Sequence, residues 1–223
     1  KMSIPDNLAL IRKEIPDHVK LIAVSKTKPV EVLMEAYNAG QRLFGENKAQ
    51  EMTLKQPLMP KDVEWHFIGH LQTNKVKYIV PFVKMIHSVD SLKLLSEINR
   101  LAGNHKRTID CLLQFHISDE ETKFGLNTEE AHQMLTSTEF LEMKNVRICG
   151  VMGMASFTEN LHQVRSEFQH LKNIFMELKN QYFDVENYFV EISMGMSGDY
   201  LVAIEEGSTM IRVGSLIFGD RTY

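Results

Sequence analysis

Cysteine is scarce in this 223-residue chain: Cys111 and Cys149 are the only two. Each sits inside an apolar run, residues 109–115 and 146–152, where a free cysteine behaves as a small buried hydrophobe. A disulfide framework is therefore not expected, and a reducing, cytoplasmic compartment is. Long apolar runs are missing as well. Nothing approaches the roughly 20 residues that a membrane-spanning helix needs, and the first residues carry no signal-peptide hydrophobic region. Neither charge sign dominates, since 25 Lys and Arg stand against 29 Asp and Glu for a formal net charge of −4. That balance gives no electrostatic reason to expect nucleic acid or a membrane surface as a partner. The 12 glycines and 6 prolines are scattered and no low-complexity linker interrupts the pattern, so residues 1–223 are read as one domain. Several ligand fingerprints are absent too. Gly195, Gly198 and Gly207 do not make GxGxxG, and no Walker A sequence occurs. His66 and His70 enclose Phe67-Ile68-Gly69, without the glutamate of a zinc-binding HExxH helix, and no metal is expected.

What the chain does have is alternation. Eight short apolar or β-branched runs, at 19–24, 42–45, 65–69, 84–88, 109–117, 146–151, 188–193 and 210–214, are separated by segments of helical period. Several are almost continuously apolar, as strands covered on both faces are. Between them, Pro29 opens a helix with Val30, Leu33, Met34 and Tyr37 on one face and Gly40 at its end. Asp90 is placed to cap a helix carrying Leu92, Leu95, Ile98 and Leu101, and Val164, Phe168, Leu171, Phe175 and Leu178 form a core stripe. Repeated βα units predict an α/β fold, a (β/α)8 barrel of the TIM type, with a doubly wound open sheet as the competing arrangement. Both put chemistry at the C-terminal ends of the strands.

Those ends are rich in groups that grip a phosphorylated ring: residues 25–28, 46–48, 70–75, 118–123, 194–199 and 211–215. Lys26 directly follows the first run. A lysine amine has an unperturbed pKa of about 10.4 and becomes a Schiff-base nucleophile only where burial or neighbouring cations lower it. At the mouth of a buried strand it makes an aldehyde cofactor, pyridoxal phosphate, the first ligand to test; the alternative is a solvated loop lysine. Phosphate in such barrels is held after strands seven and eight, where Gly195, Ser197, Gly198, Gly214 and Ser215 fall. Ser197 can donate to a phosphate oxygen and cap the following helix, although two ordinary glycine turns would look the same. Arg212, if it faces inward, needs an acceptor, and a pyridine nitrogen would supply one while staying unprotonated opposite a group that keeps its own proton. A salt bridge to Glu205 or Glu206 is the alternative, and strand parity alone does not decide. Met152, Met154, Met194 and Met196 can surround a ring or fill gaps in the core.

Taken together, the segments Ala23-Val24-Ser25-Lys26-Thr27-Lys28-Pro29, Phe44-Gly45-Glu46-Asn47-Lys48, residues 65–75, Ser193-Met194-Gly195-Met196-Ser197 and residues 211–219 resemble the pyridoxal phosphate homeostasis proteins. The resemblance runs from the first strand to the C-terminus. It implies a barrel similar to the N-terminal domain of alanine racemase (fold type III among pyridoxal phosphate proteins), with pyridoxal 5'-phosphate held as a Schiff base on Lys26. It also implies Arg212 at the pyridine nitrogen, Ser197, Gly214 and Ser215 at the phosphate, and Asn47 near the ring. Lys123 matches a lysine of a family motif that the resemblance links to cofactor transfer. The chain departs from the family pattern at Lys48-Ala49, across 149–155 and at its end, 219–223, none of which touches Lys26 or Arg212.

A racemase also needs a second positioned acid or base, which alanine racemase takes from a further β-domain across a dimer. The eighth run lies close to Tyr223, so that domain is not expected here, and none of the tyrosines falls in a context marking it as the missing base. The expectation is a monomeric, non-enzymatic carrier that buffers pyridoxal phosphate or delivers it to apoenzymes in vitamin B6 homeostasis. The alternatives are a pyridoxal phosphate-dependent amino-acid racemase and, more distantly, a sugar-phosphate barrel enzyme.

Overall fold

The computed structural model describes residues 2–121 and 124–220. Eight parallel strands, β1 (Lys20–Val24), β2 (Leu43–Glu46), β3 (Glu64–Phe67), β4 (Met85–Val89), β5 (Ile109–Gln114), β6 (Val146–Met152), β7 (Glu191–Ser193) and β8 (Met210–Val213), pair in sequence order. The pairing of β1 with β8 closes the barrel and rules out the open sheet. Each expected run overlaps a strand, with ends that differ by up to three residues. The fifth ends at Gln114, short of its apolar run, and Phe115 beyond it forms an isolated bridge to Leu126.

The helices follow from local sequence. Between β1 and β2 lies α2 (Val30–Asn38), which begins after Pro29, buries Leu33 and Ala36 and is followed by Gly40 at φ +100°, while α1 (Ile4–Glu14) precedes the barrel. α3 (Ala49–Lys55) and α4 (Val76–Ile79) follow β2 and β3. α5 (Leu92–Asn104) is capped by Ser91, whose hydroxyl accepts from the Leu94 amide, and not by Asp90, which stands one residue too early to reach that amide. α6 (Thr128–Thr136) and α7 (Thr138–Leu141) follow β5, and α8 (Leu161–Tyr182) lays the stripe from Val164 to Leu178 against the wall. Two short helices, α9 (Tyr200–Glu205) and α10 (Ser215–Phe218), follow β7 and β8. No helix among the described residues is long and apolar enough to cross a membrane.

Because neighbouring side chains on a strand point to opposite faces, the apolar residues form two separate clusters. One, including Leu21, Leu33, Ile86, Leu95, Phe168, Ile192 and Ile211, fills the layer between wall and helices. The other, Ile22, Met85, Leu112, Cys149, Met152 and Met210, floors the barrel interior. Burial of both cysteines raises their thiol pKa values, to about 12 at Cys149, in keeping with inert core thiols. At Gly150 the β6–β7 contact is so close that a Cβ would lie 1.8 Å from the Glu191 carbonyl oxygen. Gly150→Ala is therefore expected to lower stability by about 2 kcal/mol, read as a shifted urea midpoint against the unchanged protein.

Candidate functional site

All eight strands run the same way, so Val24, Gln114 and Arg212, late in their strands, lie nearer the C-terminal mouth than Ile22, Leu112 and Met210 beneath them. There the chain opens a cavity of about 720 Å³. Of the expected site residues, Lys26, Ser197, Arg212, Gly214 and Ser215 all line it. Asn47 does not; it is half-buried with its side-chain oxygen lacking a hydrogen-bond partner. Lys123 lies outside the described residues. Met154 and Met196 reach the cavity, whereas Met152 and Met194 are core.

The strand ends contribute unequally. Segments after β1, β5, β7 and β8 line the cavity and so does one after β6, residues 154–158, of which the sequence singled out Met154 alone; residues 46–48 and 70–75 do not. Glu46 instead points away from the barrel interior into a buried network behind Lys26. Lys55 donates to its carboxylate at 2.9 Å, to Glu51 at 2.6 Å and to the Ser25 carbonyl at 2.8 Å. The Ser25 hydroxyl donates to Glu46 at 2.6 Å, and the Thr27 amide donates to Glu51 at 2.6 Å. Both neighbours of Lys26 are thereby held, and Thr27 is held at φ +67°, a left-handed conformation costly for a β-branched residue. Two carboxylates share one ammonium. Burial raises the Glu46 pKa to about 7 against the pull of Lys55, while Glu51, bonded to Lys55 and the Thr27 amide, is lowered.

Arg212 is buried and faces inward, and Glu205 and Glu206 are taken by Arg165 at 2.6 and 2.8 Å, so the salt-bridge alternative does not occur. Its guanidinium donates to the Ser193 hydroxyl at 2.8 Å, the Ser193 carbonyl at 3.3 Å and the Gly153 carbonyl at 3.2 Å. Burial brings its pKa down to about 10, partly opposed by Asp199, so it stays charged at neutral pH. Ser197 does not cap the helix after β7. Asp199 instead accepts from the Met196 amide at 2.7 Å, which tightens the turn and delays α9 to Tyr200, leaving Ser197 on the cavity.

A second buried carboxylate braces the opposite rim. Glu167, inside the apolar stripe of α8, accepts from the Ser156 amide and hydroxyl, both at 2.7 Å, and from the Asp119 amide at 3.2 Å, tying the loops after β5 and β6 together. A charged residue directly before Phe168, three after Val164 and four before Leu171, was a visible signal for it. Among the described residues no cluster of His, Cys, Asp and Glu could hold a metal ion.

An eight-stranded parallel barrel with a lysine, an inward arginine and paired glycine-serine turns around one cavity is an alanine racemase-type barrel, and the family model described as alanine racemase, N-terminal domain, matches residues 2–222. The chain is 42% identical over 205 residues to the pyridoxal phosphate homeostasis protein of Aquifex aeolicus, covering 92% of this chain and 88% of that one. It is 40% identical over 222 residues to the protein of that name from Schizosaccharomyces pombe, covering 96% and 91%. PipY of Synechococcus elongatus, solved with pyridoxal phosphate bound, superposes with a TM-score of 0.88 at 36% identity, covering 97% of this chain and all of that one. The chain belongs to the pyridoxal phosphate homeostasis proteins.

Proposed function

We propose that this chain binds pyridoxal 5'-phosphate at the mouth of its barrel, attached through Lys26, and acts as a carrier in pyridoxal phosphate homeostasis. The observation that carries this reading is the convergence of Lys26, Arg212, Ser197, Gly214 and Ser215 on one cavity. That set fits the group: a primary amine for an aldehyde, a permanent donor for a ring nitrogen, and hydroxyls and glycine backbone for a phosphate. When bound, the cofactor supplies an aldehyde that condenses with an amine and releases water.

The chain's own residues do the rest. Ser25 and Thr27 hold the backbone on either side of Lys26, and Arg212, which cannot accept a proton, presents only donors. Ser197 offers a hydroxyl on the turn after β7 and Ser215 one at the start of α10, and Glu167 holds the rim loops. The named relatives are homeostasis proteins, in line with a carrier, and the racemase alternative turns on a second acid or base. Asn47 supports the ring's neighbourhood from the end of β2 by family resemblance alone. A monomer in the cytoplasm that exchanges cofactor with apoenzymes completes the proposal.

The test is a visible-absorption titration of the purified chain with pyridoxal phosphate, followed by assay of the loaded protein on L-amino acids. One saturable equivalent of a new absorbing species and no accumulation of D-amino acid is the expected outcome. Absence of any new band would end the cofactor assignment, and steady racemisation would move the chain to the enzyme reading.

A further inference from the structure

The barrel interior holds three polar side chains that the cofactor grip does not itself use. Ser193 on β7, His87 on β4 and His66 on β3 are buried, and they form one chain leading to Arg212. His66 Nδ1 lies 2.9 Å from His87 Nε2, and His87 Nδ1 lies 2.9 Å from the Ser193 hydroxyl, which in turn accepts from Arg212 at 2.8 Å. His66 Nε2 ends the chain without a hydrogen-bond partner among the described residues.

The direction of the chain follows from counting protons. Arg212 can only donate, so it occupies one lone pair of the Ser193 oxygen. If His87 carried its proton on Nδ1, Ser193 would accept twice and its own proton would have no acceptor among its contacts. His66 Nε2 would be left without a donor as well, making two unsatisfied buried groups. If Ser193 instead donates to His87 Nδ1, then His87 Nε2–H donates to His66 Nδ1, and only the terminal His66 Nε2–H is unpaired. The second arrangement leaves fewer buried groups unmatched. Both rings are neutral in it, as burial beside Lys20 and Lys84 for His66, and beside His66 and Arg212 for His87, requires.

We propose that Ser193, His87 and His66 are positioning residues that form a one-way hydrogen-bond relay, both rings protonated on Nε2, which locks the Arg212 guanidinium with its unused N–H groups facing the cavity. With Nη1 committed twice to Ser193 and Nη2 once to Gly153, one Nη2–H and the Nε–H remain for a lone-pair acceptor, on the proposed reading the ring nitrogen. A guanidinium swung by one rotamer would offer these donors elsewhere. The inference rests on the cofactor reading for its consequence but not for the relay itself.

The test uses the full chain in two measurements. Long-range proton–nitrogen correlation spectra of the histidine-labelled protein without ligand should give the Nε2–H tautomer for both rings, assigned with His66→Gln and His87→Gln; an Nδ1–H tautomer at His87 would overturn the relay. In parallel, His87→Leu, which can neither accept nor donate, should speed Arg212 side-chain hydrogen exchange at least tenfold and weaken pyridoxal phosphate binding about tenfold with a shifted absorption maximum. His87→Gln, whose amide can do both, should stay within about threefold of the unchanged protein. Equal exchange and binding in all three proteins would sink the proposal, while a wild-type chain that binds no cofactor but shows the Nε2 tautomers and slow Arg212 exchange would refute the cofactor reading alone.

Discussion

Lys26→Ala is expected to abolish covalent capture of pyridoxal phosphate completely. Borohydride treatment of the loaded wild-type chain should leave a reduced adduct on the peptide containing Lys26, and the same treatment of the variant should leave none above the background of surface lysines. The size of the effect follows from the absence of an equally held amine among the described residues that line the cavity. Lys28 also lines the cavity, but it sits beyond Thr27, with its amine 3.4 Å from the Asp220 carbonyl. It is not held between the Ser25 and Thr27 anchors that fix Lys26. Arg212, Ser197 and Ser215 are unchanged in the variant, so non-covalent retention of the cofactor should persist at reduced affinity. An adduct that moves to Lys28 with similar yield would show that the cavity, and not the strand-end position, selects the amine. An unmodified wild-type chain would overturn the attachment altogether.

Lys55→Met carries the largest expected loss of stability, and the loss should depend on pH. Lys55 is buried and satisfies Glu46, Glu51 and the Ser25 carbonyl together, so its removal leaves carboxylate charge without a counter-ion, a change that typically costs about 3–5 kcal/mol. Glu46 has its folded pKa raised from 4.5 to about 7. The folded state therefore binds this proton more tightly than the unfolded chain, and the associated stability is fully present below about 4.5 and fades as pH rises through about 7. Lys55 matters most where Glu46 is ionised. Urea denaturation should accordingly give the full penalty near pH 8 and a smaller one near pH 6, and adding Glu46→Gln should flatten the difference. Identical losses at the two pH values would mean that Glu46 is ionised throughout. Because the same network anchors both neighbours of Lys26, the variant should also capture pyridoxal phosphate more slowly.

Much of this was legible in the sequence. Each strand run is a local pattern of apolar residues, and the βα rhythm needs no long-range information, so eight strands could be counted. Lys26, Arg212 and the glycine-serine turns stand out because charged, permissive or hydroxyl residues next to buried strands are chemically conspicuous. Where local reasoning misplaced things, it lacked a distance. Asp90 and Ser91 are both good caps, and only the path of the chain into α5 shows which one reaches the Leu94 amide. Ser197 fits a cap equally well until Asp199 takes the Met196 amide.

By itself the sequence determined eight strands in a βα rhythm, a lysine at the end of the first strand and glycine-serine turns after the last two, because those depend on residue type and short-range order, while the choice of a barrel over an open sheet came from the pairing of β1 with β8. Tertiary structure alone decided which face of each strand end looks into the barrel. Closing β1 against β8 sets one parity for every strand, and that parity sends Arg212 inward to Ser193 and Glu46 outward to Lys55. It also brings His66 and His87 from different βα units within hydrogen-bond reach of each other, and His87 within reach of Ser193, more than a hundred residues away along the chain. A periodicity of two fixes alternation but not its phase; only the closed wall, with water excluded from one side and helices covering the other, fixes the phase.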